Sequence, residues 1–224
     1  MTLLVGTGLS KAFGQTPALE DASVHVEAGE ILAVMGPSGS GKSTLLHCLA
    51  GIVRPDAGRV VFAGQEVTAM SDGDRSNLRL REFGFVFQFG QLVPELPCVE
   101  NVALPLRLEG VRRREAERRA LEWLERLEVR DVADHRPGEV SGGEGQRVAV
   151  ARALVSEPRV LFADEPTGAL DSLNGERVMR LLTAAAHEAD VAVVLVTHEP
   201  RVAAYSDREI VVRDGRTLDL ATAA

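Results

Sequence analysis

Nine consecutive residues, Gly36-Pro37-Ser38-Gly39-Ser40-Gly41-Lys42-Ser43-Thr44, carry the strongest chemical signal in the chain. They fit the spacing G-x-x-x-x-G-K-[ST], in which glycines let successive backbone N–H groups turn inward around a phosphate. Lys42 offers a compact charge for the β- and γ-phosphates, and the Ser43 hydroxyl offers Mg²⁺ an oxygen. The chain holds only two lysines, Lys11 and Lys42, among 25 basic residues. A lysine kept here, where arginine serves almost everywhere else, suits a site that needs a point charge and not a planar fork.

Such a loop works only between a strand and a helix. The apolar run Ile31-Leu32-Ala33-Val34-Met35 precedes it, and Leu45-Leu46-His47-Cys48-Leu49-Ala50 follows, stopped by Gly51. The helix start then adds its unpaired N–H groups and the positive end of its dipole to the phosphate cradle.

Further along, Ser141-Gly142-Gly143-Glu144 opens an apolar-periodic helix over residues 148–155. Ser141 and Glu144 are satisfied by a capping box. Two adjacent glycines weaken a helix and expose amides at its positive end, so a second anion site stands beside the capping reading. Residues 160–163 read as a buried parallel strand delivering Asp164 and Glu165 at its carboxyl end. Adjacent acids there commonly make a turn; in a chain with a phosphate loop they also supply a Mg²⁺ ligand and a group to orient an attacking water. Another unalternating strand, residues 191–196, ends in Thr197-His198, a histidine that is either structural or a hydrogen-bond donor to phosphate. Phe13 is either a core aromatic or a platform on which a purine stacks.

Between these points lie weaker signals. Residues 2–27 alternate around turn residues as short antiparallel strands, residues 59–64 and 84–87 read as strands, and residues 71–81 as a polar surface helix. Residues 91–105 are punctuated by proline, and 112–129 form a strong helix whose arginines are interspersed with acids, as on a solvated face. A helix is predicted over 173–189, and the Asp214-Gly215 pair predicts a terminal hairpin. With 224 residues, 45% hydrophobic, the chain suits one sizeable α/β domain. No apolar run approaches the ~18 residues of a membrane span, and the first residues lack the basic start of a secretory signal. Two cysteines make no disulfide framework, which points to a reduced, cytosolic chain. A net charge of −8 argues against nucleic acid as a partner, while backbone amides bind phosphate regardless of it.

Taken in order, these pieces make the chain resemble the nucleotide-binding subunit of an ABC transporter, from Phe13 to His198 and into the tail. Gly36 to Thr44 matches the family's Walker A loop, Gln88 its Q-loop, and Ser141-Gly142-Gly143-Glu144-Gly145-Gln146-Arg147 its signature. Residues 160–165 are similar to Walker B with its following glutamate, Gly168-Ala169-Leu170-Asp171 to the D-loop, and His198 to the switch histidine. The stretches Gly84-Phe85-Val86-Phe87-Gln88, Leu92-Val93-Pro94-Glu95-Leu96 and Glu100-Asn101-Val102-Ala103-Leu104-Pro105 look most like the macrolide-exporter and lipoprotein-release subgroup. Departures are Val140 for leucine, Gly145 where a side chain is common, and Phe13 for tyrosine.

The resemblance implies an α/β P-loop NTPase fold: a mostly parallel core sheet, an N-terminal antiparallel β subdomain and an α-helical subdomain. One nucleotide-binding domain would fill residues 1–224, with 1–89 and 140–224 as the ATP-binding core and 90–139 as the helical part. It further implies a homodimer sandwiching two ATP molecules, each between Gly36 to Thr44 of one copy and Ser141 to Glu144 of the other. Ser43, Gln88 and Asp164 would hold Mg²⁺, Glu165 polarise the attacking water, His198 hold the γ-phosphate, Asp171 organise the seam, and Phe13 face the adenine. A separate membrane permease would complete the machine and hold this subunit at the inner face of the cell membrane. The competing readings are a membrane-tethered regulatory ATPase of cell-division type, and a soluble kinase, which leaves Ser141 to Arg147 and His198 unexplained.

Overall fold

Runs without polar alternation fold here as interior strands, and alternating runs as two-faced ones. The computed structural model describes residues 1–219. In chain order its elements are β1 (Thr2–Phe13), β2 (Thr16–Glu27), β3 (Ile31–Met35), α1 (Lys42–Leu49), β4 (Ala57–Phe62), β5 (Gln65–Glu66), α2 (Asp72–Glu82), β6 (Phe83–Phe87), α3 (Cys98–Leu108), α4 (Arg113–Arg126), α5 (Gly142–Leu154), β7 (Val160–Asp164), α6 (Ser172–Glu188), β8 (Ala192–Val196), α7 (Pro200–Ala203), β9 (Arg208–Arg213) and β10 (Arg216–Asp219). They fall into two compact units, one of Met1–Arg79 with the chain from Ala192 onward, the other of Leu80–Val191.

In the first unit, β1 is paired antiparallel on both sides, to β2 and to β4, and β5 extends that sheet. The expected short strands over residues 2–27 are instead two strands of 12 residues, whose register shifts let a long ribbon curve. β3 lies parallel between β8 and β9, and Val34 stands opposite Val196. Ile31, Leu32, Ala33 and Val34 are buried, as are all five residues of β8, which is why neither strand alternates. β9 and β10 form the predicted hairpin, with Asp214 and Gly215 both at positive φ, 51° and 73°, the backbone of a type I′ turn.

The second unit is built on the parallel pair β6 and β7, with Phe87 opposite Asp164. Phe162 is fully buried; its ring meets Phe83 edge-on at 5.2 Å and Phe85 stacked at 5.5 Å. α4 buries Ala116, Ala120, Trp123 and Leu124 along one stripe. Its outer face carries ion pairs such as Arg113–Glu117 at 2.6 Å, the solvated face that its interspersed charges predict. α3 is an element that residues 91–105 did not announce, because Pro105 sits inside it.

Candidate nucleotide-binding site

The first unit builds a phosphate cradle at the carboxyl edge of β3. Gly36 and Gly41 hold φ of 143° and 104°. A Cβ on either would lie 2.2 Å from a carbonyl oxygen, Val212 O and Ala18 O respectively. No other residue fits either position. Gly41 then caps α1, so the loop ends at a helix start, as a phosphate site requires. Ser40 is 6% exposed, and its Oγ is buried without a hydrogen-bond partner. An orphaned polar atom within a glycine loop at a helix start marks a place for an oxygen-rich ligand. Lys42 is equally buried, its Nζ donating to Pro37 O at 2.8 Å. The ammonium is thus parked over the loop it would share with a phosphate.

His198 reaches the same edge. Because β8 runs parallel to β3 with Val196 opposite Val34, and Thr197 N donates to Val34 O at 3.2 Å, His198 leaves the sheet where Gly36 does. Phe13 closes β1 and is 55% exposed, which removes the core reading and leaves an aromatic face open. Its neighbours fix that face: Ala12 N donates to Asp56 Oδ2 at 2.8 Å, Lys11 Nζ to Asp56 Oδ1 at 2.7 Å, and the ammonium lies 5.7 Å from the Phe13 centroid. Asp56 is a supporting residue that sequence reasoning did not single out.

The second unit gathers its residues at the carboxyl edge of β6 and β7. Gln88 and Glu165 directly follow the paired residues Phe87 and Asp164. Both side chains converge on Gly168: a Cβ there would lie 2.9 Å from Gln88 Nε2 and 3.2 Å from Glu165 Oε2. Glu165 has φ of 47°, a left-handed backbone unusual for glutamate and of the kind concentrated at working sites. Behind Gln88, Gln146 is buried and its Nε2 donates to Phe87 O at 2.9 Å. Arg152 donates to Gly90 O at 2.7 Å and Gln91 O at 2.8 Å, and burial lowers its pKa. These two α5 side chains hold the Gln88 turn from behind. Their sequence signal was only a polar residue on an apolar-periodic stretch.

At its other end α5 carries the capping box. Glu144 N donates to Ser141 Oγ at 3.3 Å, while Glu144 Oε2 accepts from Ser141 Oγ at 2.6 Å and Ser141 N at 2.8 Å. The Ser141 hydroxyl, then its amide, holds the Glu144 carboxyl below its ordinary 4.5. Asp171 caps α6 in the same manner, accepting from Asn174 N at 3.0 Å and Asn174 Nδ2 at 2.6 Å. Those two bonds, the backbone one foremost, depress its pKa.

Known proteins are similar to this chain in sequence and in fold. The ABC transporter family matches residues 19–168. The lipoprotein-releasing system ATP-binding protein LolD 2 of Caulobacter vibrioides is 46% identical over 202 residues, 90% of this chain and 89% of the relative. LolD of Shewanella sp. (strain MR-4) is 42% identical over 200 residues, 89% and 87%. Among solved structures, the ATP-binding cassette MJ0796, a dimer in a post-hydrolysis state bound to ADP and Pi, superposes with a TM-score of 0.88 at 37% identity, covering 97% of this chain and 99% of that one. The protein cbiO1 of Clostridium perfringens, part of the cbiONQ transporter complex, gives 0.87 at 29% identity, covering 97% and 87%.

Proposed function

We propose that this chain, which belongs to the ABC transporter family and is an ATP-binding, ATP-hydrolysing subunit of it, works as a homodimer around two Mg-ATP and drives a separate membrane permease. The observation that carries the reading is the buried, unpartnered Ser40 Oγ inside a glycine cradle beside Lys42. A triphosphate satisfies that hydroxyl and draws the Lys42 ammonium from the Pro37 carbonyl to the β- and γ-phosphates. The loop's amides and the α1 dipole complete the grip. Phe13 stacks on the adenine.

Ser43, Gln88 and Asp164 present a hydroxyl, an amide oxygen and a carboxylate, the hard oxygen donors that Mg²⁺ prefers. Among the described residues no group of three or more His, Cys, Asp or Glu could hold a metal; a Mg²⁺ that takes phosphate and water oxygens needs no such cage. An ion held by Ser43, Gln88 and Asp164 would neutralise charge on the β- and γ-phosphates. Glu165 polarises the attacking water, and His198 donates to the γ-phosphate oxygens. The face of the γ-phosphate turned away from the cradle is closed by Ser141 to Glu144 of a second copy, whose helix start offers further amides. Asp171 organises the seam between copies.

Residues 90–139 form the helical part that passes closure to the permease. No helix among the described residues is long and apolar enough to cross a membrane. In this reading a separate permease chain holds the subunit at the inner face of the cell membrane. The relatives named as lipoprotein-releasing proteins favour extraction of a lipid-anchored protein as the work performed.

The test is Glu165→Gln. It removes the base but leaves the cradle, so ATP still binds, turnover falls by at least about 100-fold, and a dimer accumulates with ATP in size-exclusion chromatography. An unchanged rate removes Glu165 from its role; a monomer at saturating ATP overturns the sandwich.

A further inference from the structure

Within the second unit, the Asn174 side chain of α6 lies against the first turn of α5. Asn174 gives its amide hydrogens to Asp171 Oδ2, and that bond fixes which way its amide is turned, since a carboxylate only accepts. Its other flank lies on Gly143. A Cβ built at Gly143 would be 2.8 Å from Asn174 Oδ1, 3.0 Å from Cγ and 3.2 Å from Cβ. Gly143 has ordinary helical space for its backbone, so the need for glycine comes from Asn174 and not from φ. Next to it, Leu170 Cδ2 lies 3.5 Å from the corresponding point on Gly142. The same short segment also holds Gly168, against which Gln88 and Glu165 rest.

We propose that Asn174 is a positioning residue that ties Asp171 to the signature corner at Gly143, so that the two move as one piece. The inference rests on the ATP-sandwich reading for its consequence. In that arrangement the signature corner of one copy closes on its partner's ATP while Glu165 and Gln88 serve its own. A rigid link from Gly143 through Asn174 to Asp171, continuous with the segment that seats Glu165, lets the occupancy of one site set the geometry of the other. The half-buried Asn174, held to Asp171 by one backbone and one side-chain hydrogen bond and seated on buried Gly143, makes a link that shifts as a unit.

The test is a double-mutant cycle in the full chain with Asn174→Ala, Gly143→Ala and the pair, together with Asn174→Ser. Asn174→Ala lowers kcat by about 10- to 100-fold, the size of loss that a displacement of about 1 Å produces, and brings the Hill coefficient for ATP down toward one. Equilibrium binding of a fluorescent ATP analogue to the dilute monomer stays as in the parent. Asn174→Ser, which keeps a donor for Asp171 but lacks the Oδ1 and Cγ that rest on Gly143, recovers little of the rate. Gly143→Ala lowers turnover strongly on its own and much less in the Asn174→Ala background, because the two nearest atoms it strikes, Oδ1 and Cγ, are gone and only Cβ at 3.2 Å remains.

Two results overturn the proposal. One is an Asn174→Ala chain with parent kcat and Hill coefficient, even if its melting temperature drops, which would leave the contact merely structural. The other is a Gly143→Ala loss of equal size in both backgrounds, which would make Gly143 a glycine for the sake of the nucleotide alone. Failure of the sandwich reads differently. The Glu165→Gln chain would then stay monomeric with ATP, while Gly143 and Asn174 would still couple in melting temperature, by about 2–4 °C.

Discussion

Lys42 shows how much one residue type can state. In a chain that spends 25 basic residues almost entirely on arginine, the loop lysine is buried and bonded to its own loop at Pro37 O. Removing it leaves the cradle's amides but takes away its charge-assisted bonds to phosphate, worth about 1.5–3 kcal/mol. Lys42→Ala therefore weakens ATP binding by about 10- to 100-fold, measured by titration calorimetry without Mg²⁺. Lys42→Arg does not rescue it, because a planar fork cannot fold back into so tight a loop. The loop was legible in sequence because its chemistry is local: nine residues hold both the glycines and the charge. The unpartnered Ser40 hydroxyl was not legible, since being orphaned is a property of surroundings. Phe13 stood open between two readings for the same reason, until its exposure at the end of β1 decided against the core.

Helices α5 and α6 start on carboxylates that their own first turns hold ionised. Glu144 is depressed by Ser141, and Asp171 by Asn174. A folded-state pKa below the unfolded one means the ionised cap stabilises the fold above the unfolded value and stops doing so as pH falls through the depressed one. Both helix starts accordingly loosen in acid, below the ordinary values of 4.5 and 3.8, with no change between pH 6 and 8. Amide exchange at Glu144 and Asn174 across pH 5 to 3 reads this directly. Ser141→Ala costs about 1 kcal/mol by urea unfolding and flattens the Glu144 share of the acid dependence. At this scale sequence succeeded where a cap or a period was written locally, as in α1, α4, α5 and the β9–β10 hairpin. It failed at α3. Pro105 inside that helix and Pro94 and Pro97 before it read as breakers, whereas buried Asn101 organises the approach by accepting from Val93 N at 2.7 Å and donating to Val93 O and Leu96 O at 3.0 and 2.9 Å. That side chain does for the backbone what no propensity scale records.

Across the whole molecule the division into two units follows from which distant segments pack together. The first unit takes the chain's beginning and its end, with Leu80–Val191 set between them. Each unit carries one cysteine: Cys48 on α1 in the first, Cys98 on α3 in the second, both buried. Burial pushes the Cys48 thiol up to about 11, and that of Cys98 upward as well. Neither is a thiolate at pH 8, so alkylation of each requires its own surroundings to open. The two thiols thus report separately on the two units. A nucleotide gripped by residues 36–44 stabilises states in which that loop is folded, by RT ln(1 + [L]/Kd). With a slowly cleaved ATP analogue at about 100 times its dissociation constant, Cys48 labelling slows about 100-fold, and the weaker binding of Lys42→Ala at the same concentration cuts the slowing to about 2- to 11-fold. Cys98 slows less, because its exposure does not require the phosphate loop to open. Pulse alkylation with mass spectrometry of the two cysteine peptides distinguishes these rates, and equal slowing of both would mean that neither unit opens without the other.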